Sequence, residues 1–388
     1  TATAALVLQK LVPQVASIFT THATCIGRSI AGNNKPLYEY LDVYNGDRMA
    51  QELNMESKHS LEKQTAHHVD CFTTVSEITA RECQELLDKP VDVVLPNGFD
   101  DSIVPVGNEF TRKRRAARKR LVGIANALLG TQLTDDVMIV ATSGRYEFRN
   151  KGIDVFIEAM NRLRHDARLQ REVLAFVEVP AWVTAPRADL QERLQLDAPQ
   201  ATPLDTPVIT HWLGDMEHDP VLSMMRYLNM ENRKEDYVKL IFLPSYLTGD
   251  DGIANLSYYD ILLGNDLCVF PSYYEPWGYT PLEAVAFHVP CVTTDLAGFG
   301  LWVNNVKGGY GTIAGGVEVI HRTDTNYSEV ADRIKDTVIR YAAMTKKEVN
   351  ACRRQAERLS KKALWDKFIS YYEEAYDFAL REAKARTM

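Results

Sequence analysis

The sequence has no run of the about 20 apolar residues that a bilayer crossing needs, so no membrane-spanning helix is expected. Residues 1–12 have no basic start followed by an apolar core and a small-residue cleavage site, so no secretory leader is expected either. Positive charge is in short supply: 44 Lys and Arg stand against 52 Asp and Glu, a formal net charge of -8. That balance argues against a general nucleic-acid or anionic-membrane partner, and a neutral polymer or small metabolite fits better. The six cysteines are scattered with no C-x-x-C pair, which suits reduced core residues of a cytoplasmic protein. Neither His22 with Cys25 nor His67 with His68 has further ligands at zinc-site spacing, so no metal is expected. No G-x-G-x-x-G joins a strand to a helix with an acidic residue about 20 positions on, which argues against a dinucleotide oxidoreductase.

What is present is an ordinary globular composition, 46% hydrophobic and 25% charged over 388 residues, enough for about two domains. Short β-branched runs begin at Ser17, Asp70, Val91, Val137, Val173, Val238, Leu267 and Cys291. Helical patterns separate several of them, at residues 77–87, 152–164 and 281–287. This alternation predicts an α/β protein with parallel sheets covered on both faces. Only three strands precede the turn Pro96-Asn97-Gly98, too few for a whole doubly wound domain, whereas residues 136–327 supply a complete one. We therefore expect a partial Rossmann-like domain at 1–98, a basic crossover at 99–135, a nucleotide-binding Rossmann-like domain at 136–327, and helices at 328–388 that return toward the first domain. The run from Arg112 to Arg120 is expected to be an exposed helix face, and Trp365, Phe368, Tyr372 and Tyr376 to share one face of the last helix.

Open parallel sheets bind ligands beyond the carboxyl ends of their strands, so the strand-to-helix loops are where chemistry is sought. One loop reads Tyr273-Tyr-Glu-Pro-Trp-Gly-Tyr-Thr-Pro-Leu-Glu283. Thr280 suits a helix N-cap, Pro281 the first helical position, and Glu283 the third residue of a capping box. Free amides at such a helix start favour a phosphate. Capping alone leaves Glu275, Trp277, Gly278 and Tyr279 unexplained. A second loop, Thr142-Ser-Gly-Arg145-Tyr-Glu-Phe-Arg-Asn-Lys151-Gly152, carries two cations that fit either a diphosphate partner or a solvated loop. His22 ends the first strand, and a structural and a functional role are equally open to it.

Taken together, these segments resemble the animal and fungal type of glycogen synthase, a retaining glucosyltransferase of the two-Rossmann-domain (GT-B) architecture. The carrying motifs are Phe19-Thr-Thr-His-Ala-Thr24 with Gly27-Arg28, Phe72-Thr-Thr-Val-Ser76, Pro96-Asn-Gly98, Gly144-Arg-Tyr-Glu-Phe148 with Asn150-Lys-Gly152, and residues 269–281. The resemblance implies that Glu275 lies by the reaction centre, that Glu283 holds the donor ribose, and that Arg145 and Lys151, with Arg28, neutralise the diphosphate. It implies that His22 contacts the glucose and that Tyr258, with Tyr246 less firmly matched, stacks on uracil. The implied reaction moves glucose from UDP-glucose to the non-reducing end of an α-1,4-glucan without a metal or other cofactor.

Where the chain departs from that family, the expectations change. It begins well inside the first domain, without the glycine-rich loop that contacts donor phosphates, so weak donor binding and poor turnover are expected of this chain alone. The stretch 179–219 is short where the family has a long helical insertion, which leaves a homo-oligomer open and the family's tetramer doubtful. Arg353, Arg354 and Arg358 match part of the arginine-rich helix that binds glucose 6-phosphate, and equally suit a solvated helix face. Sucrose and trehalose-phosphate synthases share the architecture. A non-catalytic glucan- or nucleotide-binding protein is the reading from another class.

Overall fold

The computed structural model describes residues 2–196 and 199–388. Among the described residues eleven strands follow in chain order: β1 (Ile18–Thr21), β2 (Cys71–Thr74), β3 (Val93–Val94), β4 (Met138–Ser143), β5 (Val173–Glu178), β6 (Val183–Pro186), β7 (His211–Leu213), β8 (Val238–Phe242), β9 (Leu267–Val269), β10 (Cys291–Thr294) and β11 (Val317–Ile320). They form a three-stranded parallel sheet, β1-β2-β3, and a six-stranded parallel sheet, β11-β10-β9-β4-β5-β8. The strand order of the larger sheet reverses at β4 beside β9, the kind of switch point where such sheets open a crevice.

The expected parallel α/β arrangement is present, and each expected strand is found within about two residues. Three strands carried no distinct signal. β11 is a four-residue Val-Glu-Val-Ile with Glu318 buried, and β6 and β7 pair antiparallel across a bulge within the 179–219 stretch. Both faces of the large sheet are filled with Val, Ile, Leu and Phe, because helices such as Ile153–Arg164 and Tyr327–Ala342 cover one face and Gly107–Leu129 the other.

One helix differs from expectation. The basic run lies within Gly107–Leu129, and only part of it faces water. Arg114 and Arg118 both bind Asp266, at 2.7 and 2.8 Å, and donate to the carbonyls of Leu263, Gly264 and Asn265, while Arg120 reaches the carbonyls of Ile253 and Ala254. The Leu263, Gly264 and Asn265 carbonyls are the orphan groups where the helix Tyr258–Gly264 ends, so Arg114 and Arg118 cap a neighbour, and Arg120 ties down the segment before that helix instead of meeting solvent. The last helix, Trp365–Thr387, lies on the small sheet. Its buried residues are Phe368, Ala375, Ala379 and Ala383, with Tyr376 half exposed. Alanine lets the helix backbone approach Cys71, Val93 and Leu95 of the sheet, and Tyr372, which also touches Trp365 with ring centroids 5.6 Å apart, packs beside them, so the expected aromatic face is present and continues into small residues.

Asp266 also accepts the Ile139 amide at 2.9 Å, so it joins β4, β9 and the long helix. Asp266→Asn removes the charge that offsets two half-buried guanidinium groups. It is expected to destabilise the fold by about 3 kcal/mol in denaturant titration, the scale for breaking a buried pair from one side.

Candidate functional site

The loop after β9 is gripped from both sides. The amides of Tyr273 and Tyr274 donate to the Asn150 carbonyl at 2.9 and 3.0 Å, tying it to the loop after β4. From the small-sheet side, the Leu37 amide donates to the Tyr273 hydroxyl at 2.8 Å, and the Tyr274 hydroxyl donates to Glu82 at 3.0 Å. Glu82 also accepts from Thr24 at 2.6 Å and from Tyr38 at 3.2 Å. Burial raises its pKa to about 7, against the lowering effect of these donors. Gly152 has φ +69, and a side chain there would strike the Pro271 carbonyl, so glycine allows the two loops to touch.

The helix that follows starts earlier than expected, at Tyr279, after Gly278 with φ 110 in the left-handed region. Thr280 is therefore not the N-cap, and Glu283 closes no capping box. A glycine able to take positive φ turns the chain into the helix without a side-chain cap. The Glu283 carboxylate instead accepts from the Tyr259 hydroxyl at 3.0 Å, and burial raises its pKa while the Tyr259 and Tyr258 hydroxyls hold it down. The free amides at this helix start belong to Gly278, Tyr279 and Thr280, since Pro281 has none.

Lys151 forms an ion pair with Glu275, both side chains about one-eighth exposed. Arg145, 58% exposed, pairs with Glu147 at 3.1 Å, and Arg28 approaches the same carboxylate at 3.9 Å from the small-sheet side. Arg28 also lies over the Tyr274 ring, 5.9 Å from its centroid. Glu147, inside the Gly144-Arg-Tyr-Glu-Phe148 segment, carries no signal of its own in the sequence, yet it joins Arg145 and Arg28. His22 is exposed at the end of β1, two residues before Thr24, whose carbonyl accepts the Tyr274 hydroxyl.

Beyond the ends of β4, β5 and β8 lies an open cavity of about 210 Å³ lined by Gly144, Glu178, Tyr246, Leu247, Tyr258 and Thr280 among others. A Cβ built on Gly144 would sit 3.8 Å from the Thr280 methyl, so the β4 loop and the helix start share this wall. Tyr246 is 73% exposed at the rim, and Tyr258 hydrogen bonds Ser143 at 3.2 Å. Glu178 ends β5 within an apolar run and gave no sequence signal. It is 4% exposed, neither carboxylate oxygen has a partner among the described residues, and burial pushes its pKa up to about 8.

Trp277 belongs elsewhere. It is 4% exposed and packs against Phe299, Trp302 and Phe368 with centroids 6.0 to 6.5 Å away, so it is a core residue outside the wall of this cavity. Tyr279, half exposed, stands outside the cavity lining. Nor do the three candidate effector arginines face the same way. Arg354 and Arg358 are exposed one turn apart, whereas Arg353 turns inward toward Arg114, Arg118 and Asp266. The two terminal nitrogens of Arg353 are buried without a partner among the described residues, and burial lowers its pKa to about 10. Among the described residues no cluster of three His, Cys, Asp or Glu side chains suits a metal, and no helix is long and apolar enough to cross a membrane.

The glycogen synthase family model matches residues 1–198 and 191–387. The chain is 28% identical to glycogen [starch] synthase of Neurospora crassa and 29% identical to the human liver glycogen [starch] synthase, covering 95% of this chain and 60% of each relative. It thus spans about 60% of the length of these curated relatives. Among solved structures, WaaG, a glycosyltransferase involved in lipopolysaccharide biosynthesis, aligns with a TM-score of 0.52 at 14% identity over 93% of this chain and 75% of its own. Sucrose-phosphate synthase from Thermosynechococcus elongatus aligns with a TM-score of 0.50 at 17% identity over 93% and 67%. At these identities the likeness is one of fold, the GT-B arrangement.

Glu178 makes stability depend on pH. Its carboxyl rises from an ordinary 4.5 to about 8 on folding, so the folded state holds a proton that the unfolded state releases. Its contribution is fully present below about pH 4.5 and is lost as pH rises through about 8. Glu178→Gln removes that loss. Its melting temperature relative to wild type is expected to climb by several degrees between pH 5 and pH 8.5 in thermal scans.

Proposed function

The chain belongs to the glycogen synthase family, and on that premise we propose that it is a retaining glucosyltransferase moving glucose from UDP-glucose to the non-reducing end of an α-1,4-glucan. The observation that carries this reading is the Lys151–Glu275 pair at the meeting of the two strand-end loops, beside the helix start at Gly278. Lys151 and Arg145, with Arg28 from the opposite side, are the cations for the diphosphate, and the Tyr279 and Thr280 amides add to them. As negative charge builds on the departing diphosphate, fixed cations and amides stabilise it without reorganising, so no metal is required.

Glu275, held by Lys151, is proposed to stand by the reacting sugar. His22 approaches the glucose from the end of β1, and Glu283 accepts ribose hydroxyls while the Tyr259 hydroxyl orients it. Tyr258 and Tyr246 flank the base in the cavity beyond β4 and β5. Attack on the same face as departure, with the leaving phosphate taking the acceptor's proton, requires no further base and preserves the anomeric configuration. We also propose that the inward Arg353, whose terminal nitrogens have no partner among the described residues, is the part of the arginine helix suited to a phosphorylated effector. The exposed Arg354 and Arg358 lie on another face.

Transfer of labelled glucose from UDP-glucose to a maltooligosaccharide tests the proposal. Lys151→Met and Glu275→Gln are each expected to lower kcat/KM by about 100-fold or more, the scale for losing one charge-stabilising group. Wild-type activity in Lys151→Met, or calorimetric titrations in which neither UDP nor UDP-glucose binds, would overturn it.

A further inference from the structure

Glu178 is an anomaly that the proposed chemistry does not use. A carboxyl group 4% exposed, at the end of a central strand and with both oxygens unpartnered among the described residues, costs free energy that a fold does not normally leave uncompensated. An apolar residue would fill that place at lower cost. Glu178 lines the same cavity as Tyr246 and Tyr258, on the side reached by the ends of β4, β5 and β8.

We propose that Glu178 recognises the base of the nucleotide-sugar donor, its carboxyl group pairing with the N3–H and adjacent carbonyl of uracil. The inference rests on the reading of the cavity as a donor site and goes beyond it by assigning the group that contacts the base edge. An uncharged carboxyl presents one O–H donor beside one carbonyl acceptor, and the uracil imide presents one N–H donor beside one carbonyl acceptor, so the two edges are complementary. Both orphan oxygens are then satisfied by one ligand. The two rings already at the cavity, Tyr246 and Tyr258, supply flat surface for the base itself.

The protonation state agrees with this geometry. Burial holds the Glu178 carboxyl up at about 8, so it keeps its proton near neutral pH. Tyr258 and Cys268 are the titratable groups that interact with it, and burial raises both well above their ordinary values, so neither adds charge in that range. No cation pairs with Glu178 among the described residues.

Calorimetric titration of the intact chain with UDP, with UDP methylated at uracil N3, and with base-free pyrophosphate tests the assignment. Wild type is expected to bind the N3-methylated nucleotide about tenfold more weakly than UDP, because the methyl group removes the donor and leaves buried polar atoms unpaired. Glu178→Leu should bind UDP about tenfold more weakly than wild type does, no longer distinguish the methylated form, and bind pyrophosphate as wild type does. Glu178→Gln keeps a donor beside an acceptor and should retain UDP affinity. Between about pH 7 and about pH 9 wild type should lose UDP affinity relative to this glutamine variant, which shares every other titration. Equal binding of UDP and its N3-methylated form by wild type overturns the assignment, as does a parallel pH profile in the glutamine variant. Those results leave the donor site standing, whereas a wild-type chain that binds neither UDP nor UDP-glucose removes the donor site itself.

Discussion

The loop from Pro271 to Gly278 has to satisfy two halves of the molecule at once, and the site depends on that constraint. Its tyrosine amides are bonded to the Asn150 carbonyl on one side, while its tyrosine hydroxyls engage Leu37, Glu82 and Thr24 on the other. The Gly298 amide donates to the Glu275 carbonyl at 3.1 Å and the Phe299 amide to the Trp277 carbonyl at 2.6 Å, so the loop's far end is fixed as well. With its backbone held in this way, Glu275 meets Lys151 without a large loss of side-chain freedom. Residues that form one charged cluster thus come from segments more than 100 positions apart.

Apolar packing gives that clamp its stiffness. Trp277 anchors the loop by burying its ring among Phe299, Trp302 and Phe368, the last of these from the C-terminal helix. The same helix lies across the small sheet, and backbone bonds link Phe99 to Ala363 and Trp365. The chain therefore passes from the small sheet to the large one and back again. Changes in how the two sheets face each other would be felt directly at the loop carrying Glu275, which connects packing to the ordering of reactants that group transfer needs.

Polar burial is distributed unevenly. Glu82 is buried with three hydroxyl donors around it, and Asp266 with two guanidinium groups and an amide, so each is compensated within the chain. Glu178 and the Arg353 nitrogens are not compensated, and both border open cavities or charged clusters instead of closed core. Unpaired buried groups are where a fold departs from its lowest-energy solution, and ligands are a common reason for such departures.

The sequence alone determined the parallel α/β framework and the two loops that matter, because hydrophobic periodicity and Gly and Pro punctuation are local properties. The long motif around Glu275 and the cations at 145 and 151 were legible for the same reason, as was the family. Tertiary structure decided which residues near those motifs face a cavity. Trp277 turned into the core, Tyr279 fell outside the cavity, Gly278 displaced Thr280 as the point where the helix begins, and the arginines at 353, 354 and 358 separated into one inward and two outward. Glu178 could not have been found from its neighbours, since a carboxylate at a strand end looks like any solvent-facing turn residue. Its significance comes from burial and missing partners, which depend on β4, β8 and two distant helices.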